Sequence, residues 1–278
     1  MGISKFNMKK IIKKSKIDEN GLCLNEYENN FNNAKVYYDR ATGKSPEMEV
    51  SKAIANILKP KIKNGSKLLD VGCACGHYYR SIKKRVNKKF FYTGTDPYDI
   101  FLDKAKIAWK NDSNVNFLKG NIYKLPFKKN QFDLTICSNV FIHLNKIKKP
   151  LQELLRVTKG TIIIRTVVYD VSYKVQLVYN NKWWKNTDVK PKDEFDKNGN
   201  PRAFSYFNIL SKDFLEGTIK DINKKAKVTF VKDSFFSKKK INSSNKKERR
   251  PLATRIVGDE QFSGCLMQPH YFVIIKND

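Results

Sequence analysis

Three side chains in this sequence stand where they can do chemistry: Asp70, Asp96 and His143. Asp70 closes a short apolar run and opens a turn of small residues in Leu68-Leu69-Asp70-Val71-Gly72-Cys73-Ala74-Cys75-Gly76-His77-Tyr78. A carboxylate there suits a positively charged ligand. Gly72 and Gly76 flank the turn, where the backbone adopts unusual dihedrals or approaches a ligand closely. The order Gly-x-x-x-Gly with an acid before it is not G-x-G-x-x-G, whose glycines bring backbone against a pyrophosphate. Asp96 ends a second apolar run, Phe90-Phe91-Tyr92-Thr93-Gly94-Thr95-Asp96. One carboxylate offers two oxygens and can accept both hydroxyls of a ribose. An Asp before Pro97 also serves as a turn or helix N-cap residue. His143 is the candidate to take a proton from a hydroxyl, since histidine is the side chain type suited to proton transfer, although a histidine there can equally cap or pack a helix.

The elements that must position these residues alternate in type. Leu68, Leu69 and Val71 read as a buried central strand. A helix follows through Tyr79, Ile82 and Val86. Phe90–Asp96 is a second strand, Ile100–Trp109 a helix and Val115–Gly120 a third strand. Phe132–Asn139 is a fourth strand, Pro150–Val157 an amphipathic helix ended by Gly160, and Thr161–Thr166 a fifth strand. Strands alternating with helices imply a parallel sheet. Before the first strand, Ser45-Pro46 with Glu47 and Glu49 opens a helix carrying Val50, Ile54, Ile57 and Leu58, which stops before Pro60. Met1 to Asn33 reads as an irregular or weakly helical basic arm. Val168–Asn208, with Trp183-Trp184, reads as an insertion over the carboxyl ends of the strands, since a loop that long is usually functional or disordered. Ser211 caps a helix to Lys225, Val228–Phe236 is a sixth strand, and Tyr271–Ile275 closes the sheet.

The acid followed by Gly72, Ala74 and Gly76 resembles the first motif of class I S-adenosylmethionine (SAM)-dependent methyltransferases, (D/E)-x-G-x-G-x-G, with Ala74 in place of the middle glycine. Leu125-Pro126-Phe127, Phe132-Asp133-Leu134 and His143-Leu144 follow in the family's order, so the resemblance runs from about Lys67 to Thr166. It implies a Rossmann-like, seven-stranded, mostly parallel sheet with helices on both faces, an antiparallel last strand and lid-like insertions. It divides the chain into a basic arm over 1–45 and a methyltransferase domain over 46–278, with substrate-side insertions at 168–208 and 237–265. It implies SAM as cofactor, held by Asp70, Gly72, Cys73, Ala74, Gly76, Asp96, Pro97, Asn121, Ile122, Ser138 and Asn139. Asn121 would meet the adenine amino group through its side-chain carbonyl, and Ile122 would pack on the ring. A helix before the first strand would lie over the pocket, with Tyr38 and Arg40 lining it and Arg40 near the methionine carboxylate. His143 would be the base, and no metal is implied. The reading is methyl transfer to a small molecule, on oxygen of a sugar or other metabolite.

Composition bears on the partners. Over 278 residues, 55 Lys and Arg face 27 Asp and Glu, a net charge of +28. Such a balance favours nucleic acid or anionic membrane partners. Here the lysines run from Lys5 to Lys276 among abundant Asn and Ile, which reads as solvated surface. The alternatives are an RNA methyltransferase using Lys238–Lys240, Lys246–Arg250 and the stacking pair Trp183-Trp184, or a SAM-fold scaffold without catalysis. The five cysteines, Cys23, Cys73, Cys75, Cys137 and Cys265, form no C-x-x-C pair and the three histidines show no zinc spacing. Free buried thiols, no secretory signal and no run of about 20 apolar residues lead to the expectation of a cytoplasmic protein without a membrane span.

Overall fold

A computed structural model describes residues 31–178, 195–201, 204–234, 254–257, 260–263 and 270–277. The helices are α1 Phe31–Thr42, α2 Glu49–Leu58, α3 His77–Arg85, α4 Asp99–Ala108, α5 Lys148–Val157 and α6 Lys212–Ile222. The strands are β1 Ser66–Val71, β2 Phe90–Asp96, β3 Val115–Lys119, β4 Phe132–Ser138, β5 Thr158–Tyr169, β6 Tyr173–Val178 and β7 Phe204–Ser211. They continue as β8 Lys227–Lys232, β9 Thr254–Val257, β10 Glu260–Ser263 and β11 His270–Lys276. None of the helices among these residues is long and apolar enough to cross a membrane.

Seven strands lie in the order β3-β2-β1-β4-β5-β11-β8. The first five are parallel, and β11 runs antiparallel between β5 and β8. This is the expected sheet with its antiparallel last strand. Side-chain alternation along each strand feeds two apolar layers. Leu69, Val71, Ile162, Ile164, Val273 and Ile275 face α5 and α6 on one side. Leu68, Leu134, Ile136, Ile163 and Phe272 face α2, α3 and α4 on the other. Strands covered on both faces carry apolar residues at consecutive positions, which is why Leu68-Leu69 and Ile162-Ile163-Ile164 occur as runs.

The chain leaves β1 toward β2 and β3, and leaves β4 toward β5. β1 and β4 are neighbours, so the connections diverge there and open a crevice beyond their carboxyl ends, where ligands bind in open α/β sheets. The loop Leu125-Pro126-Phe127 is tied to α5. Arg156 donates to the carbonyls of Phe127 and Leu125 at 2.7 and 3.0 Å, and Glu153 accepts the Leu125 N–H at 2.8 Å.

Four expectations need revision or extension. Gly160 does not end a helix: α5 passes directly into β5, and Gly160 lies within that strand. A Cβ there would stand 2.4 Å from the Asp133 carbonyl oxygen, so the register shift between β4 and β5 demands glycine. The fifth strand continues to Tyr169, and the described part of 168–208 includes a ribbon in which β6 pairs antiparallel with β7, while β7 joins β5 at Val168 and Tyr169. The sixth strand ends at Lys232. Residues 31–42 of the basic arm form a helix whose Ala34 and Ala41 are buried. The arm before residue 31, Trp183-Trp184 and the Lys238–Arg250 run lie outside the described residues. Ser211 is an N-cap, as expected, accepting from the Phe214 N–H at 3.2 Å.

Leu154, fully buried on α5, tests the first layer. Leu154→Ala is expected to lower unfolding stability by about 2–5 kcal/mol, measured by urea denaturation, through lost burial and the cavity left behind.

Candidate cofactor and methyl-transfer site

Asp70 and Asp96 come from adjacent strands and are buried together at the carboxyl edge. Asp70 stands opposite Gly94 in the β1–β2 register, two residues before Asp96. The Tyr92 hydroxyl donates to Asp70 Oδ2 at 2.5 Å, while Oδ1 is buried and receives no hydrogen bond. Burial raises the Asp70 pKa to about 7, against the Tyr92 bond and with the charge of Asp96 adding to the rise. Asp96 Oδ2 accepts the Ala74 N–H at 3.0 Å and Oδ1 the Tyr98 N–H at 3.1 Å. Burial again carries its pKa to about 7, against those two bonds. The folded protein therefore binds these protons more tightly than the unfolded chain does. The resulting stabilisation is complete below the unfolded carboxylate range near 4 and is lost as pH rises through about 7.

The turn after β1 is built from left-handed residues: Gly72 at φ 76°, Ala74 at φ 46° and Gly76 at φ 72°. The N–H groups of Gly72 and Cys73 both donate to the Thr95 carbonyl, at 2.8 and 3.1 Å. Ala74 occupies the conformation an L-residue resists, and the bond from its N–H to Asp96 holds it there. Gly72 is required twice over, because a Cβ would also lie 2.4 Å from Val140 Cγ2. Cys73 and Cys75 are buried free thiols, with Cys73 raised well above its ordinary pKa chiefly by burial.

The fourth strand contributes Ser138 and Asn139. Ser138 Oγ lies 2.8 Å from the Tyr78 hydroxyl. Asn139 is left-handed at φ 59°, and two bonds to β5 pin it. Its N–H donates to the Arg165 carbonyl at 2.8 Å, and its Oδ1 accepts from Arg165 Nη1 at 2.6 Å. Arg165 itself is buried and ion-paired with Asp233 at 2.7 Å. His143 ends the 3₁₀ turn Phe141–His143, with Nδ1 3.1 Å from the Tyr206 carbonyl of β7. A carbonyl only accepts, so Nδ1 carries a proton in that contact.

Asn121 follows β3, and its Oδ1 accepts the Tyr123 N–H at 3.0 Å, which leaves a second lone pair on that oxygen. Ile122 is buried in the layer facing α5, and Pro97 is exposed. The helix over the Ala74-Cys75 turn is α1, whereas α2 packs lower, with Ile54 and Leu58 against Leu68 and Ile82. Tyr38 and Arg40 both belong to α1. Tyr38 sits between the ammonium groups of Lys104 and Lys44, at 5.5 and 5.6 Å, and the Arg40 guanidinium covers the Tyr37 ring at 5.7 Å.

Sequence reasoning passed over His77, Tyr37, Tyr92 and Arg165. His77 begins α3, stacks on Tyr37 at 5.2 Å and is held neutral, its pKa lowered to about 3 by burial and by the Arg40 charge. A histidine directly after the second glycine is a local signal. The Arg165–Asp233 pair spans 68 positions and leaves no local pattern.

Comparison with known proteins follows the same stretch. A methyltransferase domain model matches residues 69–164. An uncharacterized methyltransferase of Schizosaccharomyces pombe is 36% identical over 106 residues, covering 35% of this chain and 38% of that protein. An uncharacterized protein of Methanocaldococcus jannaschii is 30% identical over 172 residues, covering 59% of this chain and 64% of that protein. The chain thus spans less than two thirds of the length of either relative. An S-adenosylmethionine-dependent methyltransferase from Mesorhizobium loti superposes with a TM-score of 0.52 at 11% identity, covering 81% of this chain and 96% of that one, a likeness of fold.

Gly72→Ala is expected to destabilise the protein by about 2–4 kcal/mol from left-handed strain and overpacking together. Adding Val140→Ala should restore the overpacking part and leave about 1–2 kcal/mol. Thermal or urea denaturation of the two variants checks this; equal losses would show that the contact with Val140 costs nothing.

Proposed function

From the match of residues 69–164 to a methyltransferase domain we propose that the protein is a class I S-adenosylmethionine-dependent methyltransferase that transfers the methyl group of SAM to a small molecule, at an oxygen of a sugar or other metabolite. The observation that carries the reading is the buried pair Asp70 and Asp96, which no basic side chain among the described residues offsets. SAM bears a sulfonium and an ammonium, and the sulfonium makes its methyl electrophilic.

The residues present fit such a ligand. Asp70 Oδ1 lacks a donor in the protein, and a cationic group would supply the missing partner. Each Asp96 oxygen already accepts one backbone N–H and retains a lone pair, so the carboxylate can take one ribose hydroxyl on each oxygen. Gly72, Cys73, Ala74 and Gly76 bring backbone close without bulk. Asn121 and Ile122 stand after β3 as the adenine side of the site, and Ser138 and Asn139 stand at the carboxyl end of β4 as the methionine side. Tyr38 and Arg40 belong to the helix over the turn, where Arg40 is the partner for a carboxylate.

His143 is the group that accepts the acceptor's proton. Its Nδ1 faces the Tyr206 carbonyl, which orients the ring. The β6–β7 ribbon that holds His143 favours a compact acceptor.

Calorimetry with S-adenosylhomocysteine should show one saturable site. Asp96→Ala is expected to weaken it by about 1.5–3 kcal/mol, roughly 10- to 150-fold, with the fold retained. With labelled SAM and a panel of hydroxyl metabolites, His143→Ala should slow transfer by about 10²–10⁴-fold with little change in homocysteine-product affinity. No heat and no thermal shift at millimolar ligand would exclude the cofactor, and an unchanged rate would remove the base role from His143.

A further inference from the structure

Read along the chain, the lysines form no patch among the described residues; the fold gathers them. Strands β1, β2, β4 and β5 all begin at one edge of the sheet, and antiparallel β11 ends there, with Lys276 opposite Lys227 of β8. Between the turns into β1, β4 and β5 lies an open cleft of about 500 Å³ lined by Lys63, Lys67, Lys128, Lys129 and Lys159. All five are exposed.

One acid, Asp133, sits among them and is already engaged. It accepts the Lys67 N–H at 2.7 Å, and Lys159 Nζ lies 2.9 Å away. The Lys67 charge also acts on Asp133, while Lys63, Lys128 and Lys129 form no ion pair among the described residues, whereas Lys35, Lys52, Lys83, Lys119 and Lys220 do. Like charges converging on a concave, low-dielectric wall focus a positive potential, and their mutual repulsion is relieved by a bound anion. Phe91 pairs with Lys67 in the β1–β2 register and is 43% exposed, a flat ring beside the charges.

We propose that this edge docks the sugar–phosphate backbone of single-stranded nucleic acid, away from the methyl-transfer cleft and independently of it. Lysine ammonium groups act as point charges on phosphates, and Phe91 supplies a surface on which a base stacks. The cleft contains no arginine fork to read base edges, so binding should be nearly indifferent to sequence. An anionic membrane fits less well, because the surface is concave and lacks the row of apolar side chains that enters a bilayer interface.

The test is anisotropy of an end-labelled RNA of about 20 nucleotides with the full chain, at about 0.05 and 0.15 M salt. Lys63→Glu, Lys128→Glu and Lys129→Glu together are expected to weaken binding at least about 30-fold at the lower salt and to reduce the log–log salt slope by about two to three. A control of equal charge change, Lys106→Glu, Lys146→Glu and Lys148→Glu, alters exposed lysines outside the cleft and should change affinity less than about threefold. Unchanged S-adenosylhomocysteine binding in both variants verifies the fold; should the protein bind no such ligand, coincident thermal unfolding serves instead. Equal weakening in the two triple variants would reduce the effect to net charge and overturn the proposal. So would absent RNA binding at the lower salt, or binding to anionic phospholipid vesicles without binding to RNA.

Discussion

Two carboxylates buried side by side without an internal cation are the constraint around which this molecule is arranged. Each alone resists ionisation in a site shielded from water, and each raises the cost for the other. The fold accepts that cost at the carboxyl edge where β1 and β2 end. Tyr92 donates to Asp70, and the N–H groups of Ala74 and Tyr98 donate to Asp96. Those donors keep the carboxylates in place and do not neutralise them. A ligand with a positive charge and a vicinal diol would complete the arrangement.

The turn between the carboxylates depends on the same interaction. Three left-handed residues in five positions are expensive, and Ala74 is the one whose side chain resists most. Its N–H bond to Asp96 ties the turn to the second strand, while the Thr95 carbonyl takes two more N–H groups from it. Three bonds thus tie the turn to β2, and Trp109 Nε1 donates to the Cys75 carbonyl at 3.2 Å. On the far side Asn139, also left-handed, is held by Arg165 through both backbone and side chain. The crevice has a rigid wall on each side, and α1 closes over the turn through Ala34, Ala41 and Cys75.

Much of this was legible in the sequence because it is local. Leu68-Leu69-Asp70 and Phe90–Asp96 declare buried strands ending in acids, and Gly72 and Gly76 mark a turn. Alternation of strands and helices then gives the parallel sheet. Features that depend on distant contact were hidden. Gly160 looked like a helix stop because its true reason, the Asp133 carbonyl of a neighbouring strand, is a tertiary fact. α1 carries polar residues through most of its length, and only Ala34 and Ala41 are driven into the core, so its pattern reads as an arm. The Arg165–Asp233 pair joins β5 to the end of β8 across β11. The lysines at the amino edge come from separate turns that only the sheet brings together.

Coupling between the carboxylate protons and ligand binding tests the central claim most directly. A ligand presenting an ammonium group and hydroxyl donors favours the ionised forms of Asp70 and Asp96, whose ligand-free pKa values lie near 7. Binding of S-adenosylhomocysteine should then release between about one and two protons near pH 6, and affinity should rise to about pH 7.5 before levelling. The measurement is isothermal calorimetry in two buffers of different ionisation enthalpy across that range. Heats that differ between the buffers in proportion to those enthalpies are the expected result. Equal heats in both buffers, with an affinity indifferent to pH, would contradict the account.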